Sequence, residues 1–192
     1  MYKPFIIGKS FRIVPPETEP VENISDIIMV RGAFGSGEHE TTANCIDIMQ
    51  TLDLENKSFL DLGCGTGILA IAAIKLGAKN GLCVDIEPNA VENSQRNCKL
   101  NHIGAEIEHR CGTLHDISEG KFDLVLANIY GDILLDICSS LVAKIKPGGT
   151  LLLSGILWEY NFDVRKKYEE SGCTMVINKL MEEFSTVLLT KN

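Results

Sequence analysis

The chain has 192 residues, 45% of them hydrophobic, which suffices for one full core and is too few for two large domains. A formal net charge of -8 and a sequence pI near 5.0 exclude a broad nucleic-acid surface, because sequence-independent affinity comes from many Lys and Arg contacts to phosphate; a basic protein partner stays compatible. The seven cysteines are odd in number, scattered and without a C-x-x-C pair, so neither a disulfide framework nor a metal site is expected, only small buried hydrophobes in a reducing compartment.

Met1-Tyr2-Lys3-Pro4-Phe5 lacks the basic-then-apolar design of a signal peptide, and no apolar run approaches bilayer length, so a cytoplasmic protein with no membrane segment is expected. Residues Phe5 to Val14 alternate loosely and stop at Pro15-Pro16, which predicts a short strand or hairpin. With the strand expected over Asp26 to Val30, this forms a β extension and connector, residues 1–30, ahead of a main domain, residues 31–192. The loop Arg31-Gly32-Ala33-Phe34-Gly35-Ser36-Gly37 follows, and apolar positions from Thr41 to Leu52 then recur at helical spacing.

Strand and helix signals alternate from there. Strand Ser58 to Leu62 precedes helix Ile68 to Leu76, and strand Gly81 to Asp85 precedes a helix opening at Pro88, a favoured first helical position. Strand Glu106 to Arg110, strand Phe122 to Ala127, helix Ile133 to Ile145 and strand Thr150 to Ser154 come next. Such alternation implies a doubly wound α/β domain, its sheet mostly parallel and covered on both faces. Two β-rich runs, Thr174 to Asn178 and Phe184 to Thr190, read as a terminal hairpin that leaves the last strand antiparallel.

The segment Leu60-Asp61-Leu62-Gly63-Cys64-Gly65-Thr66-Gly67 reads as a strand end, a glycine turn and a helix start, the place where nucleotide-like ligands bind in open α/β sheets. A dinucleotide fingerprint needs its third glycine one position later, where this chain has Ile68, so a nicotinamide cofactor is disfavoured. Asp61 would repel a pyrophosphate and attract an ammonium or sulfonium; S-adenosylmethionine carries both. Asp85 ends the next strand, at the spacing where an acid meets ribose hydroxyls. Asn128 closes strand Phe122 to Ala127, where its amide can accept from an amine and orient it, with Tyr130 as a wall of that pocket. Cys64 has nothing basic beside it to activate it, and His102, His109 and His115 show no ligand spacing.

The glycine turn, Asp85 and Ala127-Asn128 resemble the class I S-adenosylmethionine-dependent methyltransferases. A narrower match lies in Ala33-Phe34-Gly35-Ser36-Gly37-Glu38-His39-Glu40-Thr41-Thr42, which is similar to the A-F-G-[TS]-G-x-H-x-T-T loop of the PrmA family. Lys3-Pro4-Phe5, Ile13-Val14-Pro15, Gly65 to Ala73 and Leu153-Ser154-Gly155-Ile156-Leu157 extend the likeness over most of the chain.

The resemblance implies a seven-stranded Rossmann-like sheet and N-methylation of amino groups on a protein, the family's acceptor being ribosomal protein L-eleven, with S-adenosyl-L-homocysteine as product. It implies cofactor contacts from Thr42, Gly63, Asp85 and Asn128, alongside Asp61, Gly65 and Gly67 of the turn. The loop carrying Phe34 and His39 is expected over the cofactor, with His39 a candidate proton acceptor. Family members carry an N-terminal recognition domain ahead of the catalytic one, and this chain begins almost at the catalytic part. A small-molecule methyltransferase with the same cofactor site, and a non-catalytic S-adenosylmethionine-binding or interaction module, are therefore the alternatives. Cys111-Gly112-Thr113 stands where many relatives place an acid near adenine, and Asn128-Ile129-Tyr130-Gly131 lacks the Asn-Pro-Pro-Tyr pattern of amide and adenine methyltransferases.

Overall fold

The structure, a computed structural model, describes residues 2–30, 39–118 and 120–192. Strands β1 (Phe5–Ile7), β2 (Phe11–Val14) and β3 (Ser25–Ile28) form a small sheet in that order, with β1 antiparallel and β3 parallel to β2. The N-terminal segment is thus the hairpin form of the expectation.

The main sheet is built from β4 (Ser58–Leu62), β5 (Asn80–Asp85), β6 (Ile107–Cys111), β7 (Phe122–Asn128), β8 (Ile145–Leu157), β9 (Cys173–Leu180) and β10 (Phe184–Lys191). Their order is β6-β5-β4-β7-β8-β10-β9. Strands β4 to β8 pair in parallel, while β10 is antiparallel to both β8 and β9, as the terminal hairpin predicts. Strand order reverses between β4 and β7, which makes a crevice at their carboxyl ends the place for a ligand.

Helices α1 (Glu40–Met49), α2 (Ile68–Lys75) and α3 (Pro88–Leu100) belong to one half of the chain, and α4 (Gly131–Asp136), α5 (Cys138–Ala143) and α6 (Trp158–Glu170) to the other. Alternation along the strands divides the core between the two sheet faces. In β4, Phe59 joins Ile46, Met49 and Ile71 of α1 and α2, while Leu60 and Leu62 join Leu134, Leu141 and Val164 of α4 to α6. The small sheet shares the first of these clusters through Phe11, Ile13, Ile27 and Met29, so one apolar core runs across residue 30.

The structure departs from the sequence reading at three points. The helix expected over Ile133 to Ile145 is two short helices that meet at Ile137, and Ile145 already belongs to β8, which starts ahead of Pro147-Gly148-Gly149. Cys138-Ser139-Ser140 are weak helix formers, and each short helix buries its own anchors, Leu134 on one side and Leu141 on the other. Helix α6 has no counterpart in the sequence reading, because its inner stripe is only Asn161, Val164 and Tyr168, too thin an apolar signal to register as a period. Cys111 departs from the other six cysteines: it is exposed at the end of β6.

Candidate functional site

The candidate residues gather at the carboxyl ends of β4, β5 and β7, on the side where the strand order reverses. Gly63, Gly65 and Gly67 take φ of 73°, 51° and 78°, conformations that side-chain-bearing residues rarely adopt. Gly63 and Cys64 donate to the Val84 carbonyl, which ties the turn to β5, and Gly67 opens helix α2 with no side-chain cap. A Cβ at Gly63 would lie 2.4 Å from Cγ2 of Ile129, so the turn packs directly against the residue after Asn128.

Alternation in β4 sends Asp61 to the same face as Phe59, under α1 and α2, where it is 1% exposed. Its Oδ2 has no hydrogen-bond partner among the described residues. Burial, and after it the charge of Asp85, pushes the Asp61 carboxyl up to about 7, against a backbone hydrogen bond from Ala70 that pulls it down. An orphaned, buried carboxylate oxygen beside a glycine turn is a group in need of a cation.

Asp85 is already engaged with the backbone. Its Oδ2 accepts from Gly65 N–H at 2.9 Å and its Oδ1 from Glu87 N–H at 3.0 Å, so it clamps the turn and has further lone pairs that accept from no other described residue. Asn128 donates through Nδ2 to Oγ1 of Thr42 at 3.3 Å, which joins two candidate residues 86 positions apart and leaves Oδ1 as an acceptor. Behind it Gly155 (φ 75°) lets β8 approach: a Cβ there would sit 2.8 Å from the Ile129 carbonyl oxygen and 3.1 Å from Oδ1 of Asn128.

His39 caps α1. Its Nδ1 accepts from Thr41 N–H at 3.4 Å and lies 2.8 Å from the Thr41 hydroxyl, while its ring meets Phe184 of β10 edge-on at 5.2 Å. Tyr130 is 65% exposed at the start of α4, on the rim of a hollow of about 170 Å³ shared with Asp132, Glu159 and Tyr160. Phe34 lies outside the described residues. A larger hollow, about 350 Å³, sits at the amino end of the sheet near Lys57, Lys146 and Gly148, and contains none of the candidate residues.

Asn97 and Asn101 escaped the sequence reading. Asn97 on α3 and Asn101, the residue that caps its carboxyl end, exchange hydrogen bonds with the backbone of Val30 and Ile28 respectively, and Asn97 also donates to the Thr66 carbonyl in the turn at 3.0 Å. Their signal is two amides four positions apart, one in the last turns of a helix and one at its C-cap. Ser154, paired with Asn128 across β7 and β8 and hydrogen-bonded to Thr186 at 2.6 Å, stands in the Leu153-Ser154-Gly155-Ile156-Leu157 stretch that carries part of the family likeness, but nothing in its spacing marks this pairing. Among the described residues no group of His, Cys, Asp or Glu is arranged to hold a metal ion.

A doubly wound sheet with this strand order, an antiparallel strand inserted beside β8 and a glycine turn at the reversal point defines the class I methyltransferase architecture. The family model for the ribosomal protein L11 methyltransferase (PrmA) matches residues 1–192, and the chain belongs to that family. Ribosomal protein L11 methyltransferase of Wolinella succinogenes is 40% identical over 189 residues, 98% of this chain, and that of Herpetosiphon aurantiacus is 36% identical over 198 residues, 91% of this chain. The chain spans 65% and 62% of the lengths of these two relatives. The crystal structure of ribosomal protein L11 methylase from Lactobacillus delbrueckii subsp. bulgaricus superposes with a TM-score of 0.89 at 28% identity, over 100% of this chain and 99% of that one.

Proposed function

We propose that the chain is the methyl-transferring unit of an S-adenosylmethionine-dependent methyltransferase that N-methylates amino groups of ribosomal protein L11 in the cytoplasm. The observation that carries this reading is the buried Oδ2 of Asp61, without a hydrogen-bond partner among the described residues, beside the glycine turn and one strand from Asn128. A carboxylate so placed fits the ammonium or sulfonium of S-adenosylmethionine and opposes a pyrophosphate. Asp85 would receive the ribose hydroxyls on its other lone pairs, the turn would take the close backbone approach, and Thr42 would stand beside Asn128 at the site.

Bound there, S-adenosylmethionine supplies a methyl group on an already activated sulfonium, with S-adenosylhomocysteine the product. The protein's own share is orientation and exclusion of water. Asn128 Oδ1 accepts an N–H of the incoming amine and aims its lone pair, held in place by Thr42 on one side and the close pass of Gly155 on the other. A lysine amine, with a reference pKa of roughly 10.4, must lose its proton before attack, and His39, whose Nδ1 holds α1, serves position and leaves that proton to solvent.

Calorimetry with S-adenosylmethionine, S-adenosylhomocysteine and NAD, followed by transfer of labelled methyl to ribosomal protein L11 and to a small-metabolite fraction, tests the reading. Binding of both adenosyl compounds but not NAD, with label in the protein, is expected. No adenosyl binding would sink the cofactor assignment; label only in metabolites would sink the protein acceptor; and binding with no transfer to anything would leave a non-catalytic module.

A further inference from the structure

The carboxyl edge of β7 and β8 opens onto a surface that the cofactor site leaves unused. Tyr130 is 65% exposed, Ile133 43%, Trp158 53% and Phe162 63%, and the last two share one face of α6 at i, i+4. Gly131 brings α4 against α6, since a Cβ there would lie 2.8 Å from Cβ of Tyr160, and the resulting hollow is walled by two tyrosines and by the carboxylates of Asp132 and Glu159. The hairpin tip with Glu182 and Glu183 joins this surface through the hydrogen bond from Trp158 N–H to the Glu183 carbonyl. Residues 122–143 and 147–164 contain no Lys or Arg, and Asp132, Asp136, Glu159, Asp163, Glu182 and Glu183 are exposed without an ion pair among the described residues.

We propose that this aromatic and acidic surface docks a basic segment of the acceptor protein, with a Lys or Arg of that segment seated in the hollow between Tyr130 and Tyr160. The inference rests on the proposed methylation of a protein amine and names where that protein is held. Uncompensated carboxylates around aromatic faces suit a cation twice over, through charge and through the ring quadrupole. The seated cation is not the amine that is methylated: a facing carboxylate would keep it protonated and without a lone pair. It is a neighbour about one to three residues away, because Tyr130 follows Asn128 by two positions and each residue of extended chain spans roughly 3.3–3.6 Å.

The single tryptophan, Trp158, lies in this surface and reports its occupancy. Octalysine titrated into the full chain is expected to change Trp158 emission saturably where octaserine does not. Asp132→Asn with Glu159→Gln should weaken octalysine binding at least fivefold, while Glu169→Gln with Glu170→Gln, an equal loss of charge at the far end of α6, should not. With ribosomal protein L11 as acceptor, the first pair should raise KM about tenfold at unchanged kcat and unchanged affinity for S-adenosylmethionine. Equal weakening by both pairs, or octalysine binding unaltered by the first, would overturn the docking surface. If native chain transfers no methyl to L11, the acceptor reading falls, and the octalysine arm still decides the surface.

Discussion

Asp61 is a buried carboxyl whose Oδ2 has no hydrogen-bond partner among the described residues, and the effect on stability has a sign. Its ordinary value is 3.8 and in the fold it is pushed up to about 7, so between these values the folded state binds the extra proton. The stabilisation from protonated Asp61 is full below 3.8 and is lost as pH rises through about 7, a displacement worth about 4 kcal/mol. Urea unfolding without ligand should therefore show the native chain losing roughly 2–4 kcal/mol relative to Asp61→Asn between pH 4 and 8; parallel curves for the two would contradict the assignment. Cofactor binding follows the opposite course. Affinity for S-adenosylmethionine should rise from pH 6 to 8 in the native chain and stay flat in Asp61→Asn. Asp61, Asp85 and Asn128 stand out in the sequence as candidates because each lies at or beside the carboxyl end of a strand; the engagement of Asp85 with Gly65 does not, since backbone partners leave no mark in side-chain spacing.

At the scale of elements, α3 does more than cover the sheet. Asn97 and Asn101 pair with the backbone just past and at the end of β3 as a neighbouring strand would, and Asn97 alone reaches the turn at Thr66. Both are buried, so truncation strands backbone groups, at about 1–3 kcal/mol each. Asn97→Ala and Asn101→Ala should destabilise alike in thermal unfolding, but Asn97→Ala should also weaken S-adenosylmethionine binding about tenfold by calorimetry. Equal affinities in the two variants would reduce Asn97 to a structural clamp. Strands were read well from their apolar runs, Phe122 to Ala127 above all, because burial on both faces leaves little sequence ambiguity. Helix α6 was lost for the converse reason. Its outer face carries Trp158 and Phe162 while its inner face carries Asn161, an inversion of the usual pattern.

Over the whole molecule, the boundary at residue 30 has no counterpart in the packing. Phe11, Ile13, Ile27 and Met29 are sealed into the cluster that holds α1 and α2, and Tyr2 donates to the Met29 carbonyl at 3.0 Å. The β extension and the main domain should therefore melt in one calorimetric transition, and removal of residues 2–30 should yield an aggregating product that exposes Ile46, Met49 and Ile71. A truncated chain that binds S-adenosylmethionine with native affinity would show the opposite. The expected extension over residues 1–30 rests on a hairpin pattern ending at two prolines, and that pattern carries no mark of the faces of α1 and α2 on which Phe11 and Ile13 pack.

The one exposed cysteine has a practical consequence. Six thiols are buried, whereas Cys111 lies open at the end of β6 with its sulfur 3.6 Å from the carbonyl of Ile86, the residue after Asp85. A maleimide dye should attach to the unmodified chain at that thiol alone, with a stoichiometry of about one by mass spectrometry. The adduct would stand at the edge of the turn that Asp85 clamps, where the rate of its attachment, slowed by bound S-adenosylhomocysteine and indifferent to NAD, becomes an optical clock of occupancy.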